Sequence, residues 1–161
     1  MSEKMTLSSS AISQIETELK KYPDDHKQSA VMAALRIVQD EFRWVSREIM
    51  QEIADMLEMP AIHVYEVATF YSMYEHQDVG KHKICVCTNI SCQLCGSSDV
   101  LAYLREKIGI GPGETTSDGR FTIKEVECLG ACGGAPMMQV NREYHENLTN
   151  ESIDRILEEL D

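Results

Sequence analysis

The residues of this chain best suited to chemistry are its six cysteines. Four fall within the stretch CVCTNISCQLCG: Cys85, Cys87, Cys92 and Cys95. Two more, Cys128 and Cys132, come later in ECLGACGGAP. Three chemistries compete for them. Cys92-Gln93-Leu94-Cys95 is a C-x-x-C between an expected strand and an expected helix, the arrangement of a redox dithiol whose thiol pKa a helix N-terminus lowers. That reading leaves Cys87, Cys128 and Cys132 without a role. Zinc takes four thiolates in a tetrahedron, and Cys87-x₄-Cys92 with Cys128-x₃-Cys132 has suitable spacing. A [2Fe–2S] cluster takes four thiolates as two pairs, one pair per iron.

The loop CLGACGGAP separates the last two readings. A four-thiolate [2Fe–2S] cluster carries about −2 charge oxidised and about −3 reduced. Gly130, Gly133 and Gly134 let backbone N–H groups turn toward sulfur with no Cβ in the way. Cys92 is expected near the N-terminus of the following helix, where the dipole favours negative charge. A Rieske centre would need a Cys-x-His pair, and the sequence has none. Spacing leaves the choice of four open, because Cys87-x₄-Cys92-x₂-Cys95 also mimics plant-type ferredoxins. Cys85 reads as a small apolar residue of a buried strand and Cys95 as a packed thiol.

Helices fill the first half. Ile12, Ile15, Leu19 and Tyr22 recur at helical spacing before Pro23. Asp25 is placed to cap a second helix, with Gln28 three residues on and a stripe of Val31, Ala34, Leu35, Val38 and Phe42. Ser46 caps a third, with Ile49, Ile53, Met56 and Leu57 inward. Pro60 opens a fourth, PAIHVYEVATFYSMYEH, apolar on nearly every side through Ile62, Val64, Val67, Phe70, Tyr71 and Met73. Such a helix is either enclosed by its own domain or pressed against a partner.

The pattern changes near Asp78–Gly80. KHKICVCT reads as a strand, SSDVLAYLREKIG as a helix stopped by Gly109, and RFTIKEVEC as a strand or hairpin opened by Asp118-Gly119. PMMQVN and EYHENL read as two strands joined at Asn141-Arg142, and Asn150 as the cap of a last helix through Ile153, Ile156, Leu157 and Leu160. The order expected is four helices, then β-α-β-β-α. Gly109–Gly113 follows a helix and leads to none, so it is a turn and not a phosphate loop. His26, His63, His76, His82 and His145 lack ligand spacing and read as surface or packing residues.

The 161 residues are 43% hydrophobic and 26% charged, as in a soluble globular chain. The net charge of −12 argues against nucleic acid and against docking on an anionic bilayer. No apolar run reaches the ~20 residues of a membrane span, and the N-terminus resembles neither a signal nor a transit peptide. A cytosolic location is expected, where six cysteines point to metal or catalysis before disulfides.

VCTNISCQLCGSSDVLAYL and VECLGACGGAPMMQVN, preceded by VATFYSMY, resemble the 24-kDa or E-subunit family of NADH:quinone oxidoreductase, respiratory complex I. The resemblance runs from about Lys27 to the C-terminus. It implies an α+β fold: an N-terminal helical bundle over 1–78 that docks partners, then a thioredoxin-like [2Fe–2S] domain over 79–161. It implies that Cys87, Cys92, Cys128 and Cys132 are the ligands, and that Cys85 and Cys95 are not. It implies an electron-transfer subunit with one [2Fe–2S] cluster and no catalysis of its own. FMN and NADH would lie on a larger partner within electron-transfer reach, beside other peripheral-arm subunits of the quinone-reducing translocase. The location implied is cytoplasmic, against the inner face of the cell membrane, with no insertion into it. Related sequences serve NAD-linked hydrogenases and formate dehydrogenases, so those hosts are the alternative. A thiol–disulfide oxidoreductase using Cys92 and Cys95 and a zinc-stabilised interaction module are the remaining rivals. FRWVS departs from the family, which usually has a glycine before the aromatic residue, and the departure bears on the turn at Phe42–Ser46.

Overall fold

The computed structural model describes residues 5–160, and the chain divides into two compact units at Asp78/Val79. In the first unit, helix α1 (Ser9–Leu19) starts where the Ser8 hydroxyl accepts from the Ala11 N–H at 3.0 Å. Its inward residues are Ala11 and Ile15, one turn apart, and both are fully buried. Ile12 and Tyr22, expected on that face, are exposed. Ile12 follows Ala11 by one position, which turns it about 100° around the axis from the buried stripe.

A 3-10 turn, Asp24–Ala30, precedes α2 (Val31–Phe42). Asp25 therefore does not cap α2: it lies inside the turn, its carboxylate 2.9 Å from His26 Nδ1. The non-helical backbone at His26 takes the place of the expected first turn. The stripe of Val31, Ala34, Leu35 and Val38 is buried as its spacing requires, and Phe42 packs partly buried against the same core. Helix α3 (Arg47–Met56) is capped by Ser46, which accepts from the Ile49 N–H at 3.3 Å. Ile49, Ile53 and Leu57 are buried and Met56 partly so.

Helix α4 (Ala61–Phe70) opens at Pro60 but ends six residues before His76, where its pattern had placed the end. Tyr71 is already extended, with φ −90° and ψ 112°. Hydrogen bonds from α2 and the α2–α3 turn hold the departing chain. Gln39 Nε2 donates to the Met73 carbonyl at 2.8 Å, and Gln39 Oε1 accepts from the Glu75 N–H at 2.6 Å. The Val45 N–H donates to the Glu75 carbonyl at 2.8 Å. Tyr74 is buried, its hydroxyl donating to the Met32 carbonyl at 3.0 Å. The helix is enclosed on one side only. Val64 and Ala68 are buried, whereas Ile62, Tyr65, Phe70, Tyr71 and Met73 are exposed, Phe70 to 80%.

The second unit is a four-stranded sheet in the order β2-β1-β3-β4. β1 (His82–Cys87) runs parallel to β2 (Phe121–Val126) and antiparallel to β3 (Met138–Val140), which turns through Asn141-Arg142 into β4 (Glu143–His145). Between β1 and β2 lie a short helix α5 (Ile90–Leu94) and α6 (Ser97–Ile108), and α7 (Asn150–Glu159) follows β4. The order is thus β-α-α-β-β-β-α: its four strands fall on the four runs read as strands, and the short helix α5 is the addition. Ile84 and Val86 of β1, Ile123 of β2, Met138 and Val140 of β3, Val100 and Leu104 of α6 and Ile153 of α7 form one core. Strand alternation sends Cys85 and Cys87 to the face away from Ile84 and Val86. Gly80 must be glycine, because a Cβ there would stand 2.7 Å from the Phe121 backbone. Helix α7 is capped by Thr149 through a reciprocal box with Ser152, and Asn150, the expected cap, is its first helical residue. Among the described residues no helix is long and apolar enough to cross a membrane.

Arg43 closes α2 in the left-handed conformation, φ +69°, its N–H donating to the Gln39 carbonyl at 2.7 Å. This is the position before Trp44 in FRWVS, at the Phe42–Ser46 turn. A left-handed non-glycine residue costs ~1–2 kcal/mol, and glycine gives back ~0.4–1 kcal/mol of that as unfolded-chain entropy. Arg43→Gly should therefore stabilise the chain by about 0.5–1 kcal/mol, read as a raised thermal midpoint by circular dichroism. The exposed Arg43–Asp78 ion pair at 3.3 Å is too weak to reverse the sign.

Candidate metal centre

The register of β1 on β2 pairs Cys87 with Val126, so both strands end at the same edge and their loops leave side by side. The Thr88 N–H donates to the Val126 carbonyl at 3.0 Å. Thr88 Oγ1 donates to Glu125 Oε1 at 2.8 Å, and Asn89 Nδ2 donates to Glu127 Oε2 at 2.6 Å. These bonds tie the residues just after Cys87 to those just before Cys128.

The second loop is held from its other side by β4 and the segment after it. Tyr144 donates its hydroxyl to the Leu129 carbonyl at 2.9 Å, and the Asn147 N–H donates to the Gly134 carbonyl at 2.7 Å. Glu146 lies across Gly134 so closely that a Cβ on Gly134 would meet the Glu146 Cβ at 2.6 Å. Gly130 adopts φ +84°.

None of the six cysteines, all among the described residues, is in a disulfide. Four of them form two pairs. Cys87, the last residue of β1, and Cys92, inside α5, are each 2% exposed and hydrogen-bonded to one another, against Met137. Cys128 and Cys132, on either side of the Leu129–Ala131 bend, are exposed with their sulfurs 3.4 Å apart. The pairs adjoin closely enough for Cys87 and Cys92 to interact electrostatically with Cys132. Among the described residues no three His, Cys, Asp or Glu side chains gather as one ion would need.

Three hydrogen-bond donors aim at these sulfurs. The Gly130 N–H donates to Cys128 Sγ at 3.4 Å, the Met137 N–H donates to the Cys92 sulfur, and the Ser91 hydroxyl donates to the Cys132 sulfur. Of the three expected loop glycines, Gly130 thus supplies a donor, and Gly134 supplies space for Glu146. Burial, then the bond with Cys87, pushes the Cys92 thiol up to about 11. The Gly130 N–H, then the Cys132 thiol, lowers Cys128, while donating that same bond to Cys128 raises Cys132.

Cys92 does not stand at the N-terminus of the long helix α6, as expected. It lies in α5, which Cys95 and the left-handed Gly96 separate from α6. A redox C-x-x-C needs a lowered thiol there, and burial raises this one. Cys95 is the exposed C-cap of α5, and Cys85 is buried within β1. The sequence pattern does not reveal Ser91, the Met137 N–H or the two Glu tethers as parts of the site. Ser91 carries a signal, a hydroxyl beside Cys92, but its partner Cys132 lies 41 positions away.

The residues fit a binuclear cluster. Each iron takes two thiolates, and a tetrahedral ion with ~2.3 Å metal–sulfur bonds holds two sulfurs about 3.7 Å apart, close to the Cys128–Cys132 spacing. The donors match the negative charge such a cluster brings.

A parallel strand pair with a pair of thiols at or beyond each strand end, on a sheet extended by an antiparallel hairpin, defines a thioredoxin-like iron–sulfur protein. The chain belongs to the thioredoxin-like [2Fe-2S] ferredoxin family, whose model matches residues 15–161. The E subunit of NADH-quinone oxidoreductase from Rickettsia felis is 42% identical over 160 residues, 99% of this chain and 96% of that one. The E subunit numbered 2 of NADH-quinone oxidoreductase from Rhizobium meliloti is 43% identical over 145 residues, 90% of this chain and 85% of that one. The crystal structure of an air-oxidized NAD+-reducing [NiFe]-hydrogenase shares the fold, with a TM-score of 0.71 at 20% identity over 81% of this chain and 22% of that chain.

The two adjacent glycines of the second loop should respond differently to substitution. Gly133→Ala meets no heavy atom within 4 Å and should change stability by less than about 0.5 kcal/mol. Gly134→Ala must displace Glu146 and should cost about 1–3 kcal/mol. Chemical denaturation of the two variants side by side checks this, and equal costs would contradict the packing described.

Proposed function

We propose that this chain is the electron-transfer subunit of an NADH:quinone oxidoreductase, holding one [2Fe–2S] cluster on Cys87, Cys92, Cys128 and Cys132. The observation that carries the reading is the pair of thiol pairs joined at one sheet edge, with hydrogen-bond donors aimed at their sulfurs. Identity of 42–43% to E subunits over nearly the whole chain supports the host. The chain is a component of an oxidoreductase and performs no turnover by itself.

A bound [2Fe–2S] cluster supplies reversible one-electron exchange. The residues of the chain set its terms. Cys87 and Cys92 anchor the inner side, where Met137, Leu129, Ala131 and Ala135 limit water. Gly130 N–H, Met137 N–H and the Ser91 hydroxyl stabilise thiolate charge, and added electron density with it, which raises the reduction potential. Glu125, Glu127 and Glu146, near the second loop, act in the opposite direction. Exposed Cys128 and Cys132 form the side nearest a partner. That partner is the larger flavin- and NADH-binding subunit, whose reduced flavin gives up electrons singly.

The helical unit, residues 1–78, docks partners through Ile62, Tyr65, Phe70, Tyr71 and Met73, an apolar set unusual on a solvent-facing surface. Assembly with other peripheral-arm subunits would hold the chain at the cytoplasmic face of the membrane, next to the quinone-reducing translocase and without insertion. An NAD-linked hydrogenase or formate dehydrogenase is the alternative host. The hydrogenase likeness is one of fold, and it does not weigh against the identities to E subunits.

Purified chain should contain about two irons and two acid-labile sulfides, and stoichiometric zinc without sulfide would defeat the reading. Replacing Cys87, Cys92, Cys128 or Cys132 by Ala should lose or grossly alter the visible spectrum, while Cys85→Ala and Cys95→Ala should preserve it. Bleaching by Cys95→Ala with Cys128→Ala still coloured would instead favour the plant-ferredoxin spacing. Phe70→Asp tests docking. It should leave iron content intact and weaken recovery of the flavoprotein partner with tagged chain by about tenfold or more, ~1.4 kcal/mol.

A further inference from the structure

We propose that Cys128 and Cys132 form the entry pair through which the chain acquires its cluster from a thiolate-ligated [2Fe–2S] donor, and that Cys87 and Cys92 complete the site afterwards. The proposal rests on the ligand assignment above and adds an order to it.

The two pairs differ in access. Cys87 and Cys92 are each 2% exposed, enclosed with Met137 by Leu129, Ala131 and Ala135. A cluster still bound to a donor molecule cannot be brought to sulfurs in that position. Cys128 and Cys132 are exposed, and their 3.4 Å separation suits two ligands of one iron. The ground around them is open: at Gly130 and Gly133 an added Cβ would find no heavy atom within 4 Å. The Gly130 N–H already bonds Cys128 Sγ and is in place to hold it as a thiolate. The loop is held at Leu129 by Tyr144 and at Gly134 by Asn147, so the pair is presented on a fixed support.

The chemistry is ligand exchange with no change of oxidation state. The Cys128 and Cys132 thiols release their protons, and each sulfur forms one Fe–S bond as one donor Fe–S bond breaks. The two displaced donor thiolates take up protons. The cluster is then shared, with one iron on Cys128 and Cys132 and the other still on the donor. Cys87 and Cys92 repeat the exchange at the second iron, and the donor leaves with four thiols.

The experiment uses the full chain stripped of metal anaerobically and mixed with glutathione-ligated [2Fe–2S], with uptake followed by visible circular dichroism and native mass spectrometry. Cys87→Ser/Cys92→Ser should keep the fast first phase and stall as a cluster still carrying two glutathiones. Cys128→Ser/Cys132→Ser should lose that phase, slowing uptake by at least about tenfold, since thiol reactivity follows access. The reverse pattern, or equal loss in both variants, overturns the order. Normal final spectra in both double variants would instead overturn the ligand assignment itself. A check that needs no ligand-pair variant uses the stripped Cys95→Ala chain, where brief alkylation mapped by peptide mass should modify Cys128 and Cys132 well before Cys87 and Cys92. Equal rates would also overturn the proposal.

Discussion

The site depends first on the parallel pairing of β1 with β2. Parallel neighbours end at the same edge, so Cys87 and Cys128, 41 positions apart in sequence, leave the sheet together. An antiparallel pairing would have put the two cysteine loops at opposite edges, a strand's length apart. The connection between parallel strands requires a crossover, and α6 provides it. Val100 and Leu104 of α6 bury against Ile84, Val86 and Ile123, and this burial holds the two strands in register. The hydrophobic core of the second unit is therefore what brings the thiol pairs together.

Charge is the second constraint. The chain carries 27 acidic and 15 basic residues, and a four-thiolate cluster adds further negative charge. No basic side chain is seen bonded to the four sulfurs among the described residues; the donors found there are two backbone N–H groups and a serine hydroxyl. Fixed dipoles suit this task. They stabilise charge at short range without the solvated, mobile cations of a lysine-lined pocket. Glu125 and Glu127 stay near the site because their carboxylates are used as acceptors, binding Thr88 and Asn89. The acidic residues here act as tethers between loops as well as sources of field.

The sequence made legible the features that periodicity and chemistry encode locally. The α2 stripe, the Ser46 cap, the Gly109 stop and the Asn141-Arg142 turn stand where spacing and turn chemistry put them. The failures share a cause. α4 stops at Phe70 because Gln39 and Val45, far earlier in the chain, bind the segment that would have continued it. Asp25 has cap chemistry, yet a kink at His26 takes up the turn it would have capped. The same blindness hid Ser91 and the two Glu tethers. Each is half of a long-range pair, and one half alone looks like any polar surface residue.

The four-cysteine stretch shows the difference between adjacency in sequence and adjacency in space. Cys92 and Cys95 look like a pair, but the chain leaves α5 at Cys95 and turns through left-handed Gly96, which leaves Cys95 exposed while Cys92 faces inward. Cys85 and Cys87 share a strand face, yet Cys85 stays within the β1–β2–β3 pairing and only Cys87 reaches the strand end where the loops diverge. The sulfur partners are instead Cys87 with Cys92, across a strand-to-helix corner, and Cys128 with Cys132, across a glycine bend. Both corners bring sulfurs together across an intervening stretch, x₄ and x₃, that lets the backbone reverse direction. In the C-x-x-C, Cys95 is the exposed C-cap of α5 while Cys92 is buried, so the spacing that looked most like a redox motif is the one that this backbone does not close.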